Sequence, residues 1–288
     1  MAAVLMDDVH VEELDSLVNI VAGKKVAVLT GAGVSTDSGI PDYRGQGHSR
    51  RTPMNISSFL NSETSRQRYW AGAHLGWRIF SAAEPNVGHV ALAAMEQAGI
   101  IEGVISQNVD GLHRRAGSSH VVDLHGSLDR VRCLDCGQIF DRSGIERQLT
   151  TGNPWLEEPE SVTLAPDGDV EVRDFERIVV PSCTVCSGTL KPDVVFFGEF
   201  VPVKVYASAA SLVKRAEVLI IAGSSLTVNS GIRLLEQARR KRLPIVIINR
   251  GETKGDNRAS LKLCGGTSDV LGQLALRLGA STFYEDIE

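Results

Sequence analysis

Four of the five cysteines form two CxxC pairs, a spacing by which proteins bind a tetrahedral metal ion. Each pair places two thiolates on one tight turn, and two such turns complete a four-sulfur zinc site that has no position for water. A thioredoxin-type redox pair is the competing interpretation, but it needs only one CxxC motif at the start of a helix. We therefore predict one structural zinc site. Its ligands are Cys133, Cys136, Cys183 and Cys186.

A second group of chemical interest lies in residues 25–44, where an apolar run leads into glycines and then into polar residues. Residues 26–29 are apolar without alternation, as in a strand that is covered on both faces of a parallel sheet. Gly31 and Gly33 let backbone N–H groups approach an anion closely, and the start of a helix beyond them would add its dipole. The dinucleotide fingerprint GxGxxG is incomplete because Thr36 occupies its third glycine position, so an ordinary strand-to-helix turn is the alternative. The crowded polar, aromatic and cationic residues that follow favour a phosphate-binding loop.

Polar residues and glycines also follow three later apolar runs. Each cluster alone could be a simple turn, because Asn, Asp, Gly and Ser dominate turns for backbone reasons. Open parallel sheets bind ligands at the carboxyl edge of their strands, so four such clusters at one edge predict a site. Amide and hydroxyl side chains there suit ribose hydroxyls and phosphate oxygens. The three clusters contain Gln107, Asn108, Asp110 and Gly111, then Gly223, Ser224 and Ser225, then Asn249, Arg250 and Gly251.

His125 follows residues 121–124, an apolar run that we interpret as another short strand. A lone histidine is usually a hydrogen-bonded structural residue. Imidazole titrates near neutrality, however, and can act as a general base when it is held at the ligand edge of a sheet. We therefore treat His125 as a candidate base.

The elements that must position these residues alternate between strands and helices, which predicts an α/β doubly wound parallel sheet. The predicted strands cover residues 26–29, 100–106, 121–124, 218–222 and 245–248. The predicted helices cover residues 11–22, 86–98, 203–215, 232–241 and 268–278.

We expect three parts in the chain. Residues 1–45, 85–129 and 191–288 would form a Rossmann-like nucleotide-binding domain. Residues 46–84, which are irregular and then rich in aromatic side chains, would form a helical insertion and a cofactor loop. Residues 130–190 would form the zinc-binding module.

Composition excludes some classes of function. The chain has 288 residues, of which 43% are hydrophobic and 23% charged, as in ordinary globular proteins. A net charge of −5 argues against nonspecific nucleic-acid binding, which needs a basic surface. No apolar run reaches the roughly 18 residues of a membrane span. The first residues carry acids where targeting peptides carry basic residues, so we expect a cytoplasmic protein without membrane contact.

Taken together, the motifs resemble those of the sirtuins. They occur here in that family's order within residues 26–265: GAGVSTDSGIPDYR, QNVDGLH, LHGS, the two CxxC pairs, LKPDVVFFGE, AGSS and INRG. The stretches RQRYW, DRVRCLDCG, LAPDGDV and LKPDVVFFGE look most like class II, the branch that includes the fourth human sirtuin. The resemblance implies an inverted Rossmann domain that binds NAD⁺, a small zinc module, and an acyl-lysine peptide in the cleft between them.

The resemblance also implies a role for each matching residue. His125 would be the catalytic base and Asn108 the second catalytic residue. The residues that would bind NAD⁺ are Gly31, Ala32, Gly33, Asp42, Tyr43, Arg44, Gln107, Asn108, Asp110, Gly223, Ser224, Ser225, Asn249, Arg250, Gly251 and Cys264. The residues that would line the acyl-lysine tunnel and pair with the peptide backbone are Val194, Phe196, Phe197, Gly198 and Glu199.

The implied activity is NAD⁺-dependent deacylation of protein lysines, with nicotinamide, free lysine and O-acyl-ADP-ribose as products. Mono-ADP-ribosyl transfer to protein is an alternative that uses the same cofactor site. A noncatalytic NAD⁺ sensor is a second alternative, although a sensor needs neither His125 nor Asn108. The expected partners are acyl-lysine proteins, and the sequence carries no prediction of the oligomeric state.

One departure from the family concerns the acyl group. Sirtuins that remove acidic acyl groups hold the carboxylate with a tyrosine and an arginine three residues apart. Here Tyr69 is followed at that spacing by Gly72. We therefore expect neutral acyl groups to be preferred, unless another arginine such as Arg66 or Arg68 reaches the pocket.

Overall fold

A computed structural model describes residues 11–43, 53–156 and 164–280. In chain order its strands are β1 (Val26–Thr30), β2 (Ile101–Ser106), β3 (Val121–Asp123), β4 (Gly126–Cys133), β5 (Ile139–Asp141), β6 (Leu190–Val194), β7 (Val218–Ala222), β8 (Ile245–Ile248) and β9 (Leu261–Leu263). Its α-helices are α1 (Val11–Val21), α2 (Ile56–Asn61), α3 (Glu63–Ala82), α4 (Val87–Gln97), α5 (Leu112–Arg115), α6 (Arg142–Gly152), α7 (Val203–Arg215), α8 (Asn229–Arg240) and α9 (Thr267–Arg277).

The main sheet has six parallel strands in the order β3-β2-β1-β7-β8-β9. Strands β2 and β3 are added on one side of β1, and strands β8 and β9 are added on the opposite side, beyond β7. The direction in which successive strands are added therefore reverses between β1 and β7. All residues of β1, β7 and β8 are buried, as their apolar runs predict, and Thr30 at the end of β1 is the one polar residue among them. The predicted doubly wound α/β fold is therefore confirmed.

Helices cover both faces of this sheet. Val28 points into one hydrophobic cluster, which it shares with residues of α1, α4 and α9. Leu29, the next residue, points into the opposite cluster with residues of α7 and α8. Alternate side chains of a strand face opposite sides of its sheet, which is why adjacent residues of β1 lie in different cores. No helix in the described ranges is long and apolar enough to cross a membrane.

Most element bounds agree with the sequence pattern, and α7, β7 and β8 agree at both ends. The predicted helix 232–241 begins earlier, at Asn229, because its first turn is built from small polar residues that give no apolar signal. The predicted strand 121–124 ends at Asp123. The edge strand β9 was not predicted; it has three residues, with Lys262 at its centre.

A second, smaller sheet contains β5, β4 and β6 in antiparallel order. Helix α6 packs against it through Ile145 and Leu149, which lie in the same cluster as Val131 of β4. Strands β4 and β6 of this smaller sheet run across the borders that we predicted near residues 130 and 190. The three-part division of the chain stays a prediction.

Helices α2 and α3 lie within residues 46–84, the predicted helical insertion. Ser62 accepts a hydrogen bond from the Ser65 backbone N–H (3.1 Å) and thereby caps the start of α3. Two glycines on α3 allow a turn at residues 165–169 to pack against the helix backbone. A Cβ atom at Gly76 would lie 1.9 Å from the Gly168 carbonyl oxygen, and one at Gly72 would lie 2.3 Å from the Val170 carbonyl oxygen.

This contact predicts that Gly76→Ala destabilises the protein by about 1–3 kcal/mol, because the added methyl group must displace backbone atoms of the turn. Equilibrium urea unfolding measures the effect. Gly144→Ala, at a helical glycine of α6 whose Cβ would meet nothing closer than 3.8 Å, is the matched control. The control should be neutral or stabilising by about 0.5–1 kcal/mol. Equal stabilities for the two variants would mean that the turn does not pack against α3.

Candidate active site

The carboxyl ends of β1, β2, β7 and β8 meet at one edge of the main sheet, where the predicted polar clusters lie together. The loop after β1 packs directly on the loop after β7: the Gly31 N–H donates to the Ala222 carbonyl (3.0 Å) and the Gly33 N–H to the Gly223 carbonyl (2.9 Å). A Cβ atom at Gly31 would lie 2.7 Å from the Gly223 oxygen, and one at Gly33 2.8 Å from the Gly223 Cα. Close approach of two backbones is therefore the reason for both glycines.

The predicted helix start after this loop was wrong. Two short 3₁₀ turns, Ala32–Val34 and Thr36–Ser38, follow β1 in its place. Gly39, with φ of 83°, ends the second turn just before Pro41. Thr36, at the position of the missing third glycine, bonds the Gly33 carbonyl through its hydroxyl (3.1 Å). The loop therefore presents no α-helix dipole to an anion.

Asn86 holds the loop from the side, a role that the sequence analysis missed. Its amide Nδ2 donates to the Val34 carbonyl (2.8 Å) and to the Ser38 hydroxyl (3.0 Å). Its Oδ1 accepts from the Gly88 N–H (3.0 Å) and caps α4. An asparagine at the start of a predicted helix signals a cap, but only the structure shows that the same side chain fixes a loop about 50 residues away.

Asn108 and Asp110 follow β2 and are joined by Ser35 of the loop. Asn108 Nδ2 donates to the Gly31 carbonyl and to the Ser35 hydroxyl, both at 3.0 Å. The Ser35 hydroxyl donates to Asp110 Oδ2 (2.7 Å), and Asp110 Oδ1 accepts from the Leu112 N–H (2.9 Å). Burial raises the pKa of the Asp110 carboxyl, and the two donated hydrogen bonds oppose this shift. The network locks the two strand-end loops together.

His125 lies at the same edge and its two ring nitrogens have different partners. Nδ1 lies 2.8 Å from the Gln107 carbonyl oxygen, and Nε2 lies 2.8 Å from the Ser230 hydroxyl. A carbonyl only accepts, so Nδ1 carries the proton and the neutral ring keeps a basic lone pair on Nε2. Burial lowers the pKa of His125, while the bond to Gln107 partly raises it. Ser230, in the first turn of α8, was not predicted.

The remaining polar residues lie at the same strand ends. Ser224 donates to Gln107 Oε1 (2.6 Å), which ties the loop after β7 to the loop after β2. Asn249 Nδ2 donates to the Gly251 carbonyl (2.9 Å) and shapes the turn after β8. Tyr43 is partly exposed, at 43%. Arg44 lies outside the described residues. The other predicted cofactor residues at or next to these loops are Ala32, Asp42, Ser225, Arg250 and Cys264.

The predicted peptide-binding segment, residues 194–199, begins at the end of β6. The Val195 N–H donates to the His125 carbonyl (2.8 Å), so this segment is bonded to the candidate base. Phe196 is buried against the rings of Phe59 and Tyr69, at centroid distances of 5.3 and 5.2 Å. Further along, Phe197 is half-exposed, Gly198 has a positive φ of 87°, and the Glu199 carboxylate accepts from the Phe196 N–H at 2.6 Å.

The surroundings of Tyr69 and Gly72 bear on the acyl group. Gly72 faces the turn at residues 165–169, which leaves no room for a longer side chain there. Arg142 is fully buried near Tyr69, but its guanidinium pairs with Glu146 (2.8 Å) and lies over two tryptophan rings. Arg66 donates to the backbone carbonyls of Phe59 and Leu60. Both of these guanidinium groups are thus engaged by protein groups.

The four cysteines of the CxxC pairs come together, and their sulfur atoms all lie within 4.8 Å of one another. Cys133 ends β4, and two matching turns, closed by the Gly137 N–H on the Cys133 carbonyl and the Ser187 N–H on the Cys183 carbonyl, present the thiols. A thioredoxin-type pair lies at the start of an α-helix, and none of these four cysteines does. Four thiolates in this arrangement fit a structural Zn²⁺ ion.

Comparison with known proteins identifies the class of protein to which this chain belongs. A model of the Sir2 family matches residues 31–230, and the chain belongs to this family, the sirtuins. It is 48% identical over 267 residues to NAD-dependent protein deacetylase 1 of Mycobacterium avium, covering 91% of this chain and 95% of the relative. It is 44% identical over 277 residues to the mitochondrial NAD-dependent protein lipoamidase sirtuin-4 of Bos taurus, covering 92% and 86% of the two chains.

Solved structures of sirtuins have the same fold. A Sir2 structure with a p53 peptide and NAD⁺ superimposes with a TM-score of 0.76 at 31% identity, covering 93% of this chain and 99% of that chain. The predicted family, the fold class and the placement near sirtuin-4 are all supported by these relatives.

The zinc site predicts that Cys183→Ser, or metal chelation, causes loss of folded protein. A structural zinc ion supplies folding free energy on the order of 10 kcal/mol in small domains, so the module does not keep its shape without it. Circular dichroism and zinc content of the purified chain are the measurements. Cys264→Ser, at the exposed fifth cysteine, is the control and should retain one zinc per chain. A metal-free protein that stays folded and fully active would contradict the assignment.

Proposed function

We propose that this protein is an NAD⁺-dependent protein-lysine deacylase. The observation that carries the proposal is the position of His125, a neutral base at the cofactor edge that is bonded through its own carbonyl to the predicted peptide segment. The two relatives described above are an NAD-dependent protein deacetylase and an NAD-dependent protein lipoamidase, at 48% and 44% identity over most of the chain. The candidate base His125 thus lies between the predicted cofactor loops and the predicted peptide segment, residues 194–199.

The proposed cofactor residues fit a dinucleotide. Gly31, Gly33 and Gly223 bring two stretches of backbone into contact at the strand ends, and a glycine loop at this edge suits a pyrophosphate. Ser224 and Ser225 add hydroxyl groups, and Asn249 adds an amide suited to a ribose. When bound, NAD⁺ supplies the ADP-ribosyl group to which the acyl group is transferred as nicotinamide leaves.

The proposed catalytic residues have distinct tasks. His125 Nε2 takes up a proton from a hydroxyl group at the site, because Nδ1–H is held by the Gln107 carbonyl and fixes the tautomer. Ser230, which now bonds Nε2, marks the position from which such a hydroxyl approaches. Asn108 orients the loop after β1 toward this point through Gly31 and Ser35.

The peptide enters next to this base. Residues 194–199 follow an antiparallel strand, and the bond from Val195 to the His125 carbonyl keeps them at a fixed distance from the imidazole. The apolar rings of Phe196, Phe59 and Tyr69 line one side of this region and exclude water from an acyl-lysine side chain. Proteins that carry acyl-lysine are therefore the proposed substrates, and a cytoplasmic location remains a prediction of the sequence.

The test of the proposal is incubation with NAD⁺ and a panel of acyl-lysine peptides, followed by mass spectrometry of both products. Free lysine together with O-acyl-ADP-ribose supports deacylation. An ADP-ribosylated protein without deacylated peptide would support the transferase alternative, and binding of NAD⁺ without either product would support the sensor.

His125 should control the acid side of the pH profile. The residue acts as a base only when neutral, and burial lowers its pKa from the usual value near 6.5. Activity should therefore be constant at neutral pH and fall as the pH drops through a value below 6.5. The dependence of kcat/KM on pH measures this midpoint. A midpoint above 6.5 would show that the folded protein favours the charged imidazole.

His125→Ala should lower kcat by about 10²- to 10⁴-fold, the usual contribution of a general base, while NAD⁺ binding is largely kept. Steady-state deacylation and a cofactor-binding titration measure the two effects separately. His120→Ala is the matched control, because this exposed histidine lies at the opposite end of the sheet, next to Glu96. Wild-type turnover by His125→Ala would remove this residue from its proposed role.

Acetyl-lysine should be preferred over succinyl-lysine by at least about a hundredfold in kcat/KM, which corresponds to about 2.7 kcal/mol. The reason is that Gly72 offers no cation, whereas an unpaired buried carboxylate costs several kcal/mol. Competition between acetylated and succinylated versions of one peptide measures the ratio. Equal or faster desuccinylation would show that a cation such as Arg68 reaches the acyl group.

A further inference from the structure

Lys191 is buried, which is unusual for a lysine, and its ammonium lies against the predicted peptide segment. The residue is 6% exposed and belongs to β6. Its Nζ donates to the Val194 carbonyl and, at 3.3 Å, to the Pro192 carbonyl. It also lies 3.0 Å from the Glu199 carboxylate. Acceptors from both ends of the segment 194–199 therefore converge on one positive charge.

The middle of the segment contacts the same ammonium. Lys191 Nζ lies 4.5 Å from the centre of the Phe196 ring, in the geometry of a cation–π contact. The Glu199 Oε2 atom that faces Lys191 also accepts from the Phe196 N–H (2.6 Å), and the Glu199 N–H donates to the Phe196 carbonyl (3.0 Å). A turn of four residues, opened by the positive φ of Gly198, thus closes around the lysine.

A buried ammonium is not needed to fill this space. Its desolvation lowers the pKa of Lys191, and Glu199 only partly offsets that shift. Apolar residues of similar volume commonly replace both members of a buried ion pair without loss of stability, so the pair of Lys191 and Glu199 is better explained by the local shape it specifies than by stability. What it specifies is the relative position of the Val194 carbonyl, the Phe196 ring and the Glu199 carboxylate.

We propose that Lys191 is a positioning residue for the acyl-peptide, whose ammonium holds residues 194–199 in the shape that pairs with the substrate backbone. This inference rests on the proposed deacylase function. A peptide that binds as an added strand pairs with the backbone groups of residues 194–199. Without the Lys191 ammonium, these residues must become ordered each time a peptide binds, which weakens peptide binding. The cofactor loops are held by Asn86 and Asn108 instead, and NAD⁺ binding is therefore independent of this lysine.

Lys191→Met and Lys191→Arg test the proposal, with steady-state kinetics in which acyl-peptide and NAD⁺ are varied separately. Lys191→Met should raise the KM for peptide at least about tenfold, while the KM for NAD⁺ changes less than about twofold, since only the ordering of the peptide segment is lost. Lys191→Arg keeps the charge and should recover most of the peptide affinity. Lys214→Met, at an exposed lysine near the end of α7, is the matched control and should behave as wild type.

Glu199→Gln gives a second route if Lys191→Met does not fold. It should raise the peptide KM in the same selective way. A peptide KM unchanged in either folded variant, or equal increases for peptide and NAD⁺, would overturn the positioning role. If wild-type protein turns over no acyl-peptide at all, the proposed function itself fails, and that outcome is distinct from a wild-type-like Lys191→Met in an active enzyme.

Discussion

The site depends first on the close contact between the loops after β1 and β7, where the strand order of the sheet reverses. Gly31 and Gly33 lie against Gly223 with no room for a Cβ atom on any of them. Two backbones at this distance bond each other directly, through the Gly31 and Gly33 N–H groups on the Ala222 and Gly223 carbonyls. Side chains at these positions would separate the loops, so the site requires glycine on both.

Buried polar groups connect this contact to the candidate base. One series of hydrogen bonds runs from the Gly31 carbonyl through Asn108 and Ser35 to Asp110. A second series runs from Ser224 through Gln107 to His125, the candidate base. Unsatisfied polar groups cost about 1–3 kcal/mol each when buried, so these partners hold one another in place. The loops reach the site already shaped, which reduces the ordering that a ligand must supply.

The sequence predicted those features that depend on local pattern. Uninterrupted apolar runs marked β7 and β8, and the polar residues that follow them lie at one edge as expected. The charged strand β4, with the sequence GSLDRVRC, gave no such signal. Ser35, Ser230 and Lys191 were missed because their roles depend on partners that the fold brings together. Ser35 meets Asp110 across 75 residues and Ser230 meets His125 across 105, separations over which a single sequence carries no pairing signal.

One antiparallel pair of strands extends from the cysteine turns to the candidate base. Strands β4 and β6 pair Cys133 with Leu190 at the metal end and Gly126 with Val194 at the other end, where His125 and the peptide segment meet. A Cβ atom at Gly126 would lie 2.0 Å from the Asp193 carbonyl oxygen, so this end is as tightly packed as the cofactor loops. The register of the pair shifts between Gly126 and Val131, so its two ends are held separately: the cysteine turns adjoin the end at Cys133, and the close backbone contact at Gly126 holds the end beside His125.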